Sequence, residues 1–174
     1  VGLIAEYLAP LCKAFGMTVV GLSGKPRPAP GFDRMVARGD LLRIAGELDY
    51  LVVLAPLTAE TRHVINDKVF AAMKPSAFLV NVARGGVVDE TALIKALESG
   101  EIAGAGLDVF SEEPLPADNP LWKTRNLTIF PHLGGYTEGY EDRAMPTIAG
   151  NMEKFLAGDT RSMINIVRKP ASWK

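Results

Sequence analysis

Five short apolar runs, each separated from the next by a stretch long enough for a helix, constrain this chain most. They are Thr18–Leu22, Tyr50–Leu54, Ala77–Val82, Ala103–Val109 and Leu127–Phe130. Each is apolar almost without interruption. That suits a parallel strand covered on both faces better than a half-exposed antiparallel one. Strands that alternate with helices build right-handed βαβ units and an open, doubly wound sheet. The expected fold class is therefore α/β, of the Rossmann type.

The intervening stretches carry helix punctuation. Ile4–Phe15 is apolar nearly all round and is followed by Gly16, a good residue to end a helix, while Pro10 predicts a kink inside it. Leu41–Leu48 follows Asp40 as a candidate cap, and Asp67–Met73 stops before Pro75. The clearest helix is Asp89–Ser99: Asp89 caps, Ala92, Leu93, Ala96 and Leu97 form the stripe, and Gly100 ends it. Glu138–Leu156 reads as a long final helix, with Pro146 and Gly150 as points where it could break. The Pro-rich stretch Gly24–Gly31 reads as loop.

Composition narrows the function. Hydrophobic residues make up 48% and charged residues 22%, ordinary for a globular chain. The 174 residues suffice for a core without staples, and the lone Cys12 excludes an intrachain disulfide, so a reducing, cytoplasmic setting is expected. Nineteen basic against twenty acidic residues give a net charge of −1, which draws the chain toward neither nucleic acid nor an anionic membrane. The chain opens on Val1-Gly2-Leu3-Ile4-Ala5, with no Met and no basic leader, and reads as a piece of something longer.

Ligands of such sheets bind at the carboxyl ends of the strands. Ala83-Arg84-Gly85-Gly86 follows the third run, Phe110-Ser111-Glu112-Glu113-Pro114 the fourth, and Pro131-His132-Leu133-Gly134-Gly135 the fifth. An arginine, a carboxylate and a histidine thus share one sheet edge. Arginine grips a carboxylate with a rigid fork. Histidine gives or takes a proton near neutral pH, and a carboxylate beside it fixes its tautomer and orientation. From placement alone, Glu112 and Glu113 are both candidates for that carboxylate. No metal site is expected.

Two further cues point to a dinucleotide. Gly2-Leu3-Ile4-Ala5 matches the end of a G-x-G-x-x-G/A fingerprint, in which free backbone N–H groups meet a pyrophosphate. The first Gly and the strand before it would lie upstream of Val1. At the end of the next strand, an acidic residue would accept the ribose hydroxyls and repel a 2′-phosphate. Ser23 stands there, followed by Lys25 and Arg27, which favours NADP(H) over NAD(H).

Together these residues resemble the D-isomer-specific 2-hydroxyacid dehydrogenase family over essentially the whole chain. The resemblance is carried by Ala55-Pro56-Leu57-Thr58 with Thr61 and Ile65, by Met73-Lys74-Pro75 and by Asn81–Asp89. It continues through Ala105–Phe110, Glu113–Pro116 and Pro131–Gly135. Within the family the sequence is most similar to glyoxylate/hydroxypyruvate reductases. The resemblance implies hydride transfer between a nicotinamide and a small 2-keto or 2-hydroxy acid. It assigns Arg84 to the substrate's carboxylate and keto oxygen, His132 to proton transfer and Glu113 to the histidine's partner. It places Asp108 near the nicotinamide carboxamide, Val82, Ala83, Gly134 and Gly135 along the nicotinamide, and Ala55 and Pro56 beside the cofactor, with Thr61 shaping that loop. Leu54 stands where many members carry a polar residue or His.

The resemblance also implies what this chain lacks. Residues 1–142 correspond to an NAD(P)-binding domain without its first strand. Residues 143–174 correspond to the segment that returns to a substrate domain. A closed active site and stable folding are not expected of the chain alone. A homodimer is expected, and Leu115, Leu121 and Trp122 suit an interface or a local core. The alternative to an enzyme is a nucleotide-sensing or scaffold protein of the kind the family's transcriptional corepressors represent.

Overall fold

The computed structural model describes residues 1–166, which divide into two compact units, Val1–Gly134 and the residues from Gly135 onward. The first unit holds six parallel strands and four helices. They are α1 (Leu3–Ala14), β1 (Val20–Ser23), β2 (Arg34–Ala37), α2 (Leu41–Ile44), β3 (Tyr50–Val53), α3 (Asp67–Ala72), β4 (Phe78–Asn81), α4 (Glu90–Ser99), β5 (Gly104–Leu107) and β6 (Leu127–Ile129). β1 pairs with β2, and β3-β4-β5-β6 form a second sheet in that order. This is the α/β, Rossmann-like arrangement that the alternation of runs requires, and no ladder joins β1 to β3 among the described residues.

Four of the five apolar runs contain a strand, and the first overlaps β1, which extends one residue past it to Ser23. β2 was not among them: Arg34-Met-Val-Ala is short, begins on a charge and buries only Val36, so its pairing with β1 rather than its pattern makes it a strand. The expectation that every strand is covered on both faces also needs correction. Along β3 burial alternates, with Leu51 and Val53 buried while Tyr50 and Val52 stay exposed; in β4, Phe78 is exposed and Leu79 buried. The covered face packs on Val69 and Phe70 of α3 and Leu93, Ala96 and Leu97 of α4. On the other face, Tyr50 and Phe78 stack on each other, 5.9 Å between ring centres.

The helices follow their punctuation with three differences. Asp89 caps α4 through the Ala92 N–H at 3.0 Å, and Gly100 ends it in the left-handed conformation. Asn66 caps α3, because its side chain accepts from the N–H groups of Lys68 and Val69. Asp40 does not cap α2; it lies in a 3-10 turn, and its carboxylate reaches Arg43 at 3.5 Å. The stretch expected as one helix to Leu48 is a single α-turn followed by a 3-10 turn, Ala45–Glu47. α1 runs through Pro10 unbroken. Only Ala9 of its residues is buried, and Leu3, Tyr7, Leu11 and Phe15 are exposed.

The second unit is built on α5 (Tyr140–Leu156), which runs through Pro146 and Gly150 without a break. The Asn151 side chain bonds both backbone groups of Ile164 at 2.8 and 3.0 Å, and Lys154 donates to the Ser162 carbonyl. The two compact units divide after Gly134, and α5 lies in the second. The final residues of the expected C-terminal segment, 167–174, lie outside the described part.

Candidate active site

Three of the loops that leave the carboxyl edge of the four-stranded sheet, those after β4, β5 and β6, are shaped by polar bonds at their roots. After β4, buried Asn81 accepts from the Ala83 N–H and donates to the Arg84 carbonyl, both at 3.1 Å. Sequence reasoning missed this role. The signal was a polar residue inside an apolar run, since a buried amide needs partners on its own turn. The next turn is pressed onto the neighbouring loop: a Cβ at Gly85 would stand 1.9 Å from the Phe110 carbonyl carbon. Only glycine fits there.

That neighbouring loop follows β5. The Ser111 N–H donates to Glu90 at 2.6 Å, and the Phe110 N–H donates to Glu113 Oε1 at 2.8 Å. Glu90, in the first turn of α4, was the second residue missed. The bonds hold Glu113 Oε2 2.6 Å from His132 Nδ1. Glu113 is therefore the carboxylate on the histidine, and Glu112 is exposed beside it. Partial burial pushes the Glu113 carboxyl up, but the His132 hydrogen bond, the Phe110 N–H and the charges of His132 and Arg84 outweigh it and hold the group below the ordinary carboxylate range.

His132 sits three residues beyond β6 with φ 56°, a left-handed backbone that costs a non-glycine residue roughly 1–3 kcal/mol. Asp108 supplies the restraint. Its carboxylate, 5% exposed, accepts from the N–H groups of Leu133 and Gly134, both at 2.8 Å. A Cβ at Gly134 would lie 2.7 Å from that carboxylate, so glycine is required for the contact. With Nδ1 on Glu113, the imidazole's Nε2 is the nitrogen left to exchange a proton with a ligand. Arg84 is exposed, and its guanidinium folds back on the Ala83 carbonyl at 2.6 Å.

The other expected cofactor residues are placed as follows. Gly2 is the N-cap of α1, no side chain caps that helix, and the space where a Gly2 Cβ would point is open; Leu3 and Ile4 form the first turn. Ala55 and Pro56 follow β3 in a turn that Thr61 closes, donating to the Pro56 carbonyl at 2.6 Å and accepting from the Thr58 N–H at 2.7 Å. Val82 is exposed at the end of β4. Ser23 ends β1, with its hydroxyl 3.3 Å from both the N–H and the carbonyl of Lys25. Arg27 does not join them as a free cation; it is paired with Glu6 of α1 at 2.6 Å. Gly135 belongs to the second unit.

The carboxyl edge of one parallel sheet thus carries a His–carboxylate pair and an arginine turn. Comparison with known proteins gives the family. Residues 1–134 match the model of the D-isomer specific 2-hydroxyacid dehydrogenase NAD binding domain, and the chain belongs to that family. A glyoxylate reductase of Thermococcus onnurineus is 39% identical over 97% of this chain and 52% of its own length. The glyoxylate/hydroxypyruvate reductase B of Salmonella newport is 44% identical over 83% of the chain and 45% of its own length. Among solved structures, a D-isomer specific 2-hydroxyacid dehydrogenase of Xanthobacter autotrophicus in complex with NADPH and MES superimposes with a TM-score of 0.82. It shares 38% identity over 92% of this chain and 64% of that one. The chain thus spans about half the length of the curated relatives it matches.

Proposed function

We propose that this chain is the nucleotide-binding part of an NADP(H)-preferring reductase of small 2-keto acids, with glyoxylate and hydroxypyruvate as its substrate class. The observation that carries the reading is the 2.6 Å contact between His132 Nδ1 and Glu113 on the sheet edge that also bears Arg84. Relatives named for glyoxylate and hydroxypyruvate reduction support the substrate class, and the solved relative with NADPH supports the cofactor.

The residues present fit a nicotinamide dinucleotide. The uncapped first turn of α1 at Gly2, Leu3 and Ile4 offers free N–H groups to a pyrophosphate. Ala55, Pro56, Val82, Ala83, Asp108 and Gly134 would line the remainder, and Asp108 keeps acceptor capacity beyond its two N–H bonds. A bound reduced nicotinamide supplies the hydride for the carbonyl carbon. The rest is the work of side chains. Unfolded from the Ala83 carbonyl, the Arg84 guanidinium clamps the substrate carboxylate and polarises the keto oxygen. His132, protonated and held by Glu113, gives its Nε2 proton to the oxygen as negative charge develops there. In the reverse direction it takes that proton back.

In this reading the first unit serves the cofactor, and the chain from about Arg143 returns to a substrate domain supplied by the rest of the protein. The protein works as a homodimer in the cytoplasm, with no nucleic-acid or membrane partner. Steady-state assays of the full-length protein with glyoxylate and hydroxypyruvate test it, using NADPH and then NADH. Turnover with NADPH at the higher kcat/KM is the expected result. No turnover with either nucleotide, despite binding, would replace the enzyme with a nucleotide-sensing protein.

A further inference from the structure

Recognition of a 2′-phosphate at the end of β1 was expected from Ser23, Lys25 and Arg27. The pairing of Arg27 with Glu6 leaves that edge without the expected guanidinium, and the register of the small sheet brings in another. β1 and β2 are parallel, with Ser23 opposite Ala37. The residues one step beyond, Gly24 and Arg38, therefore leave the same carboxyl edge side by side. A Cβ built on Gly24 would lie 3.6 Å from Arg38 Nη1 and 3.7 Å from both Cζ and Nη2. Near-equal distances to three atoms of a planar group mean that the guanidinium lies flat over Gly24.

Arg38 is half-buried, and none of its nitrogens has a hydrogen-bond or ion-pair partner among the described residues. Its surroundings explain why it is not spent on a neighbour. Arg27 is taken by Glu6, Arg34 by Glu47 and Arg43 by Asp40. Glu60, the carboxylate that feels the Arg38 charge, is bonded to the Thr58 hydroxyl at 2.8 Å instead. A partly desolvated guanidinium with its fork of N–H donors unused, lying against the Gly24 that joins Ser23 to Lys25, is suited to a phosphate monoester, which takes such a fork bidentately.

We infer that Arg38, contributed by β2, is the residue that discriminates for a ribose 2′-phosphate, with Ser23 and Lys25 beside it and Arg27 outside the subsite. The inference rests on the dinucleotide reading above but not on which nucleotide the enzyme prefers. The test is calorimetric titration of the full-length protein with NADPH and with NADH, in wild type, Arg38→Gln and Arg27→Gln. Losing a charged hydrogen-bond partner should weaken NADPH binding by about 10- to 100-fold in Arg38→Gln. NADH binding should stay within about twofold, which also shows the variant folded. Arg27→Gln should leave the ratio of the two affinities unchanged. Equal losses for both nucleotides in Arg38→Gln, no loss, or a selective loss in Arg27→Gln instead, would each overturn the assignment. Wild-type protein that binds NADH as tightly as NADPH would sink the preference proposed above, while a selective loss in Arg38→Gln would still uphold the subsite.

Discussion

The four-stranded half of the first unit and the α1–β1–β2 half use the same βα grammar but are held by different forces. Around β3–β6 the side chains of Phe70, Leu79, Leu93 and Leu107 are fully enclosed. The loops leaving that sheet are tied by Asn81, Glu90 and Asp108 to backbone N–H groups. Around α1 one alanine is buried, and the links between elements are surface ion pairs, Lys13 with Asp33 and Arg27 with Glu6. Proton transfer needs groups fixed to fractions of an ångström, and the side chains proposed for it stand on the dense half. Charge recognition of a phosphate tolerates more play, and its candidate groups stand on the open half. The difference can be broken first at the reacting group. In the full-length protein, His132→Ala should lower kcat for glyoxylate by about 10²- to 10⁴-fold with NADPH binding retained. Near-native reduction would remove His132 as the proton donor.

Packing gives the next largest effect. Phe70→Ala empties an enclosed site and should cost roughly 3–5 kcal/mol in urea unfolding. Tyr7→Ser, on the open face of α1, should change stability by no more than about 0.5 kcal/mol. A Tyr7 penalty that approaches the Phe70 penalty would mean that the apolar face of α1 is covered in solution, and the contrast between the halves would fail.

The same contrast decides what could be read in advance. The strands of the dense half were legible because each is a run of apolar residues, and α4 because cap, stripe and terminal glycine all agree. β2 was illegible because three of its four residues are not buried and a neighbouring strand defines it. At the site, Arg84, Glu113 and His132 could be placed on one edge because strand order alone puts them there. The choice between Glu112 and Glu113 could not be made from placement, since it depends on how the Phe110 N–H turns the loop. Arg27 entered the phosphate reading through its sequence proximity to Ser23; Arg38 lies against Gly24 through strand register, which local reading does not supply. The uncovered face of β3 and β4 was hidden for a similar reason: apolar composition does not say whether a partner is present.

Glu113 joins the two kinds of holding, because it is a partly exposed charge fixed by a backbone N–H and by a histidine. Its carboxyl is lowered: burial raises it, and the His132 bond, the Phe110 N–H and two nearby cations more than reverse that. A carboxyl lowered on folding adds stability that is fully present above its unfolded value, about pH 4.5, and disappears as pH falls through the lower folded value. Glu113→Gln keeps the shape and removes the charge. The variant should therefore be less stable than wild type at neutral pH, by a modest margin at so exposed a group. That margin should shrink steadily as the urea titration is repeated below pH 4.5, until the two curves meet in acid. A margin that is the same at pH 7 and pH 3 would mean that the pair holds His132 by shape alone, with no contribution from its charge.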